Sequence, residues 1–264
     1  MARSTFYYHL KALSKADKYE VVRERICEIF KESKGRYGYR RVTLQLRNEG
    51  FTINHKTVER LMNEHGLKCQ IRKKRYRSYK GTIGKIAPNI LNRDFRADVP
   101  CQKLVTDVSQ ISIGAQKNFL SPILDLSNGE VLCYDISDRA DLEQIGKMLA
   151  DIFAITDKLP DGQDILLHSD QGWQYQHKSY QDALAEHGII QSMSRKGNCL
   201  DNSVMENFFG LMKSELLYAN DYSSIEEFKQ DLVEYIDWYN NKRIKAKLTG
   251  MSPVQYRAQY HKKL

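Results

Sequence analysis

The chain has 264 residues, with 41 Lys+Arg against 33 Asp+Glu and a formal net charge of +8, enough length for one domain of ordinary size and a smaller second one. No run of about eighteen apolar residues occurs and the opening MARSTFYYHL lacks the apolar stretch of a secretory signal, so the expectation is a soluble, cytoplasmic protein without a membrane span. Cys27, Cys69, Cys101, Cys133 and Cys199 are scattered without a CxxC pair, which argues against a disulfide framework or a four-cysteine zinc site.

Residues 1–68 carry helical signals. Asp17 and Glu20 suggest a capping box ahead of an apolar face of Val22, Ile26, Ile29 and Phe30. A second helix is expected over Tyr39–Asn48 with Val42 and Leu46 inward, and a third from an Asn54 cap through Val58, Leu61 and Met62 to Gly66. Three short helices with tight joints suggest a helix-turn-helix unit whose last helix offers Lys56 and Arg60 to the major groove. Residues 69–97 read as a linker, in which Arg72, Lys73, Lys74, Arg75 and Arg77 are interleaved with tyrosine and free of acids, a composition suited to tracking a nucleic-acid backbone.

From Lys103 the period changes to that of strands. KLVTDVSQISI, FLSPILDL and VLCYDI are three antiparallel strand candidates, the last two joined by a turn at Asn128-Gly129. A helix over 142–155, the strand DILLHSD, a helix over 180–187, the strand GIIQSM and a helix from about Asp201 follow. Strands first and alternating strands and helices afterwards describe an α/β fold with a mixed sheet over residues 98–218. Residues 219–264 read as a C-terminal helical extension, opened by a Ser224/Glu227 capping box and closing in a basic tail that includes Lys242 and Arg243.

Charge follows these divisions. Residues 1–85 carry a net +14, residues 86–237 a net −13, and residues 238–264 hold 7 basic residues and no acid. Basic flanks around an acidic centre suit a protein that binds phosphates at its ends and cations in its middle.

Within the acidic centre, Asp170 follows the apolar ILL at the carboxyl end of a strand, where α/β sheets present ligands. Glu206, Gly210 and Lys213 fall on one helix face, setting a carboxylate near a phosphate-binding lysine. Asp107 reads as a mid-strand acid, a costly place for an uncompensated charge, although Asp125 and Asp135 are strand acids too. Carboxylates in such a group are natural ligands for paired divalent cations acting on phosphodiesters. His168 and Trp173 flank Asp170, with His168 balanced between a site role and a structural one, and Asp201 and Asn202 read as a helix cap.

The segments VTDVSQ, HSDQGWQY, SMSRKGNCLDNSVMENFFGLMKSEL and YIDWYNNKRIKAKLTGMSPVQYR resemble the integrase-core transposases of bacterial insertion sequences, of the IS-three type, across essentially the whole chain. One departure is Leu104, where many relatives have tryptophan. The resemblance implies a ribonuclease-H-like catalytic fold, an Asp-Asp-Glu triad at Asp107, Asp170 and Glu206, and two Mg²⁺ ions for which Mn²⁺ can substitute. It further implies DNA contacts by Lys213, Arg195 and Lys196, and as partners the element's terminal inverted repeats, a target DNA, at least one further copy of the chain, and an upstream-frame fusion product. Two other readings share these features: a DNA-binding regulator of transposition with an idle catalytic fold, and a ribonuclease-H-type nuclease.

Overall fold

The computed structural model describes residues 18–69, 85–160 and 162–261, together with Arg3 and Tyr7, and divides into two compact units, Met1–Gln70 and Ile71–Leu264. In the first unit α1 (Glu20–Glu32), α2 (Tyr39–Asn48) and α3 (His55–Glu64) bury Ile26, Ile29, Val42, Leu46, Val58, Leu61 and Met62 against one another. The apolar spacing on each helix dictates which face turns inward. Asn54 caps α3 by accepting the Lys56 N–H at 2.9 Å. α1 starts differently from expectation: its N-cap is Tyr19, with no side-chain cap bond, and Asp17 lies outside the described residues. Arg25 instead ties the unit together, gripping Glu49 at the end of α2 with two bonds of 2.7 Å. The run Arg72, Lys73, Lys74, Arg75 and Arg77 lies outside the described residues.

The second unit is built on one six-stranded mixed sheet. β1 (Lys103–Thr106) and β2 (Ser109–Ile113) both pair antiparallel with the long β3 (Gln116–Asp125), and β4 (Val131–Ser137) pairs with its other edge. β5 (Ile165–Ser169) lies parallel to β1, and β6 (Ile189–Met193) parallel to β5. The sequence therefore breaks where a single strand was expected: Asp107 and Val108 interrupt KLVTDVSQISI, and the Asp107 carboxylate accepts the Val108 N–H at 2.8 Å. Asp107 is a strand-end residue rather than a mid-strand one.

Alternation of side chains across the pleat builds a core on each face. On one side Leu104, Ile123 and Leu167 pack with Ile145, Met148 and Ile152 of α4 (Leu142–Thr156) and Tyr180 and Leu184 of α5 (Lys178–Glu186). On the other, Val105, Leu124 and Leu166 pack with Met205, Phe208 and Met212 of α6 (Ser203–Met212) and Phe228, Leu232 and Tyr235 of α7 (Ile225–Asn241). The terminal α8 (Pro253–His261) follows, its start held by a reciprocal Ser252–Gln255 box. Four antiparallel-paired strands, β1 to β4, leading into the parallel β5 and β6 and covered by helices on both faces, make the second unit a ribonuclease-H-like α/β/α fold, and the first unit is a helix-turn-helix-like helical one. Among the described residues, no helix is long and apolar enough to cross a membrane.

Candidate active site

Parallel pairing of β1 with β5 sets the site. Val105 lies opposite His168, so the same register carried two residues further brings Asp107 opposite Asp170, both just beyond the carboxyl ends of their strands. Glu206 reaches the same place from the first turn of α6. Asn202, immediately before that helix, donates from Nδ2 to the Thr106 carbonyl at 3.1 Å and so ties the start of α6 to the end of β1. On the β5 side the Gly172 N–H donates to Asp170 Oδ1 at 2.7 Å, and Gln171 Nε2 reaches the Ser194 carbonyl at 2.9 Å.

Electrostatics join these residues. Burial pushes the Asp107 carboxyl well above the usual carboxylate range, the charge of Asp170 adds to this and that of Glu206 adds further, while the Val108 N–H and Lys213 oppose it. Burial also raises Asp170, against the Gly172 N–H. The Lys213 ammonium is drawn down by burial and held up by Asp107, so lysine and aspartate lie in each other's field. A half-buried cluster of like charges calls for a cation, and an all-carboxylate donor set suits a hard divalent ion. Among the described residues, no three His, Cys, Asp or Glu side chains are drawn together tightly enough to hold a metal ion as they stand. The donor chemistry fits such an ion, and the ligating geometry is not preformed.

The other expected residues fall into distinct settings. His168 is fully buried, bonded through Nδ1 to Ser192 Oγ at 2.8 Å and through Nε2 to Ser194 Oγ at 3.1 Å, and burial pulls its pKa down to about 4. It is a neutral structural histidine that fastens β5 to β6. Trp173 is 49% exposed on the turn after Asp170. Lys196 is exposed on the loop before α6, as are Lys56 and Arg60 on α3, where Arg60 pairs with Glu64, and Lys242 at the end of α7.

Three settings differ from expectation. Arg243, expected at DNA, is 1% exposed and clamps Glu215, donating from Nη2 to Oε1 at 2.7 Å and from Nε to Oε2 at 3.1 Å. A guanidinium enclosed by its own carboxylate partner is withdrawn from any phosphate. Arg195 does reach the surface, yet its Nε and Nη2 are both committed to Asp201 at 2.8 Å. Asp201 is not a helix cap: its enclosed carboxylate also takes Arg93 Nε at 2.7 Å and Asn89 Nδ2 at 2.9 Å, pinning the loop before α6 to the segment before β1. Arg93 and Glu215 carried no sequence signal beyond being charged residues near apolar neighbours.

Comparison with known proteins defines the class. The sequence matches an HTH-like domain over residues 17–75 and integrase core domains over 97–199 and 206–260, the latter two falling on the elements that carry Asp107, Asp170 and Glu206. It is 54% identical to the InsK protein of insertion sequence element IS150 from Escherichia coli (strain K12), covering 97% of this chain and 90% of that one. It is 31% identical to the InsF transposase for insertion sequence IS3A from the same organism, covering 88% and 80% respectively. Among solved structures, the HTLV-2 integrase catalytic core domain in complex with magnesium aligns with 61% of this chain and 99% of that one, at 14% identity and a TM-score of 0.47. The chain belongs to the insertion-sequence transposases of the IS150 and IS3 kind.

Proposed function

We propose that this transposase cuts DNA at the ends of its insertion sequence and joins the freed ends to new phosphodiesters, using Asp107, Asp170 and Glu206 to hold two Mg²⁺ ions. The observation that carries the reading is the β1–β5 register, which sets Asp107 beside Asp170, with the charge of Glu206 also acting on Asp107. Such ions, or Mn²⁺ in their place, supply Lewis-acid stabilisation of the attacking and leaving oxygens. The chain's own residues do the rest. Asp107 lies in the field of both other carboxylates, Lys213 supplies a partly desolvated positive charge for a phosphate near the reacting end, and Lys196 contacts the backbone as a point charge. No protein nucleophile is required, because the attacking oxygen belongs to water in the first step and to a DNA 3′ hydroxyl in the second.

In this reading residues 1–68 bind the terminal inverted repeats with Lys56 and Arg60 on α3, residues 69–97 track the duplex, residues 98–218 cleave, and residues 219–264 complete the catalytic unit. Two element ends must be held together for joining, so at least two copies act at once, in the cytoplasm, with an upstream-frame fusion as a further partner.

The experiment compares wild type with Asp170→Asn on labelled element ends, with Mg²⁺ and with a chelator. Metal-dependent nicking by wild type and none by the variant, at equal end binding, is the expected result. Full-rate cleavage by the variant refutes the assignment. End binding by wild type without any nicking makes the chain a regulator, and cleavage of RNA–DNA hybrids without a need for residues 1–85 makes it a ribonuclease.

A further inference from the structure

The helix bearing Glu206 does not end in an ordinary α-turn. After Met212 it widens into a π-helical turn, Lys213–Leu217, in which the Tyr218 N–H reaches back to the Lys213 carbonyl at 2.8 Å. Such turns are rare and recur at functional sites. Lys213 opens this one, within the field of Asp107, and two residues later Glu215 turns into the protein interior.

Glu215 is 6% exposed, and its carboxylate receives two bonds from Arg243 and one from the Tyr235 hydroxyl at 2.9 Å. Arg243 in turn lies over the rings of Tyr239 at 5.4 Å and Trp238 at 5.9 Å. An enclosed ion pair of this kind is poor evidence of net stabilisation, since desolvating both charges offsets most of their attraction. Its geometry is exacting, however: a planar fork on a carboxylate fixes both partners in angle as well as distance. Tyr235 and Arg243 come from α7 and the segment after it, so the C-terminal part of the chain holds the back of the turn whose front carries Lys213.

We infer that Arg243 is a positioning residue that acts through Glu215 and the π-helical turn to set Lys213 at the reacting phosphate. This rests on the proposed cleavage activity. It accounts for a charged side chain that the basic tail would otherwise spend on DNA, and makes the C-terminal segment part of how the site is aligned.

The test is a double-mutant cycle on single-turnover cleavage of element ends by the full chain, with end affinity measured separately by gel shift. Arg243→Met is expected to slow cleavage about tenfold or more while end affinity stays the same, a misplacement effect rather than a lost contact. In a Lys213→Ala background the same change is expected to cost nothing further, because the group it positions is gone. Equal losses in both backgrounds overturn the inference, as does a loss of end affinity with cleavage rate unchanged. Where Arg243→Met fails to fold, the paired change Glu215→Leu with Arg243→Met removes both charges together. That protein is expected to keep its unfolding midpoint and to cleave about tenfold or more slowly, and full cleavage by it overturns the inference. A wild-type chain that binds ends but never cleaves overturns the cleavage reading and this inference with it, whereas wild-type cleavage with additive mutants overturns the inference alone.

Discussion

Asp201→Ala should loosen the loop that delivers α6 to the site. The carboxylate is wholly enclosed and takes five N–H groups: the Arg195 backbone at 3.0 Å, Arg195 Nε and Nη2 at 2.8 Å, Arg93 Nε at 2.7 Å and Asn89 Nδ2 at 2.9 Å. Summing roughly 1.5–3 kcal/mol for each bond to a charged group would overshoot. The side chains of Arg93 and Arg195 are 42% and 52% exposed, so both recover water when the anion is removed. The expected cost is therefore about 3 kcal/mol, the low end for breaking a buried pair, which lowers Tm by roughly 6–12 °C in a unit of this size. Acid supplies a second signature. The hydrogen bonds from Arg195, above all, hold the Asp201 carboxyl below the usual carboxylate range. A depressed folded pKa gives stability that is fully present above the unfolded value of about 3.9 and is lost as pH falls below it. The gap between wild type and variant should thus be widest at neutral pH and narrow below about pH 4. Tryptophan fluorescence is the assay, because the two tryptophans, Trp173 and Trp238, both lie in the second unit. A neutral-pH shift worth less than about 1 kcal/mol, or a gap that ignores acid, would refute the reasoning.

Asp107→Asn removes a carboxylate that burial and Asp170 already disfavour in its charged form. In a chelator the variant should melt no lower than wild type, and added Mg²⁺ should raise the wild-type midpoint but not the variant's; a drop of several degrees without metal would contradict the like-charge argument. In the first unit Asn54→Ala should cost about 1 kcal/mol by freeing the Lys56 N–H. Faster hydrogen exchange along α3 reads this out, and unchanged protection there counts against the cap.

What could be read from the sequence, and what could not, follows the range of the interactions concerned. The helical faces of α2, α3 and α7 were legible because three- and four-residue spacing of Val42 and Leu46, of Val58, Leu61 and Met62, and of Phe228, Leu232 and Ile236 is itself the cause of burial. The Ser224 cap was legible for the same local reason, with Glu227 reaching back one residue further than the usual box, to Ser223. The break at Asp107 was not, since β-branched residues stand on both sides of it and only the Val108 N–H turning onto the carboxylate ends β1. Arg243 and Asp201 were misread because their partners are distant. Glu215 lies 28 residues from Arg243 and Arg93 lies 108 from Asp201, and a charge run shows sign but not pairing.

The same distinction explains why the carboxylates can stand together at all. Asp107 and Asp170 are far apart in sequence; β1 and β5 bring them abreast because parallel strands need a long crossover, filled here by β2, β3, β4 and α4. The cost of crowding like charges falls on the whole sheet, whose two cores oppose it. The polar ties then have a narrower task. Asn202 holds α6 to the end of β1, Asp201 holds the preceding loop, and Glu215 holds the far end of the same helix from behind. Each fastens backbone or a structural side chain while Asp107, Asp170 and Glu206 themselves stay half-buried at the mouth of the site. Positioning and, in the proposed reading, metal binding thereby fall to different residues, so variants of the ties should slow catalysis by misplacing Glu206 and Lys213, and variants of the carboxylates should abolish it without unfolding the chain.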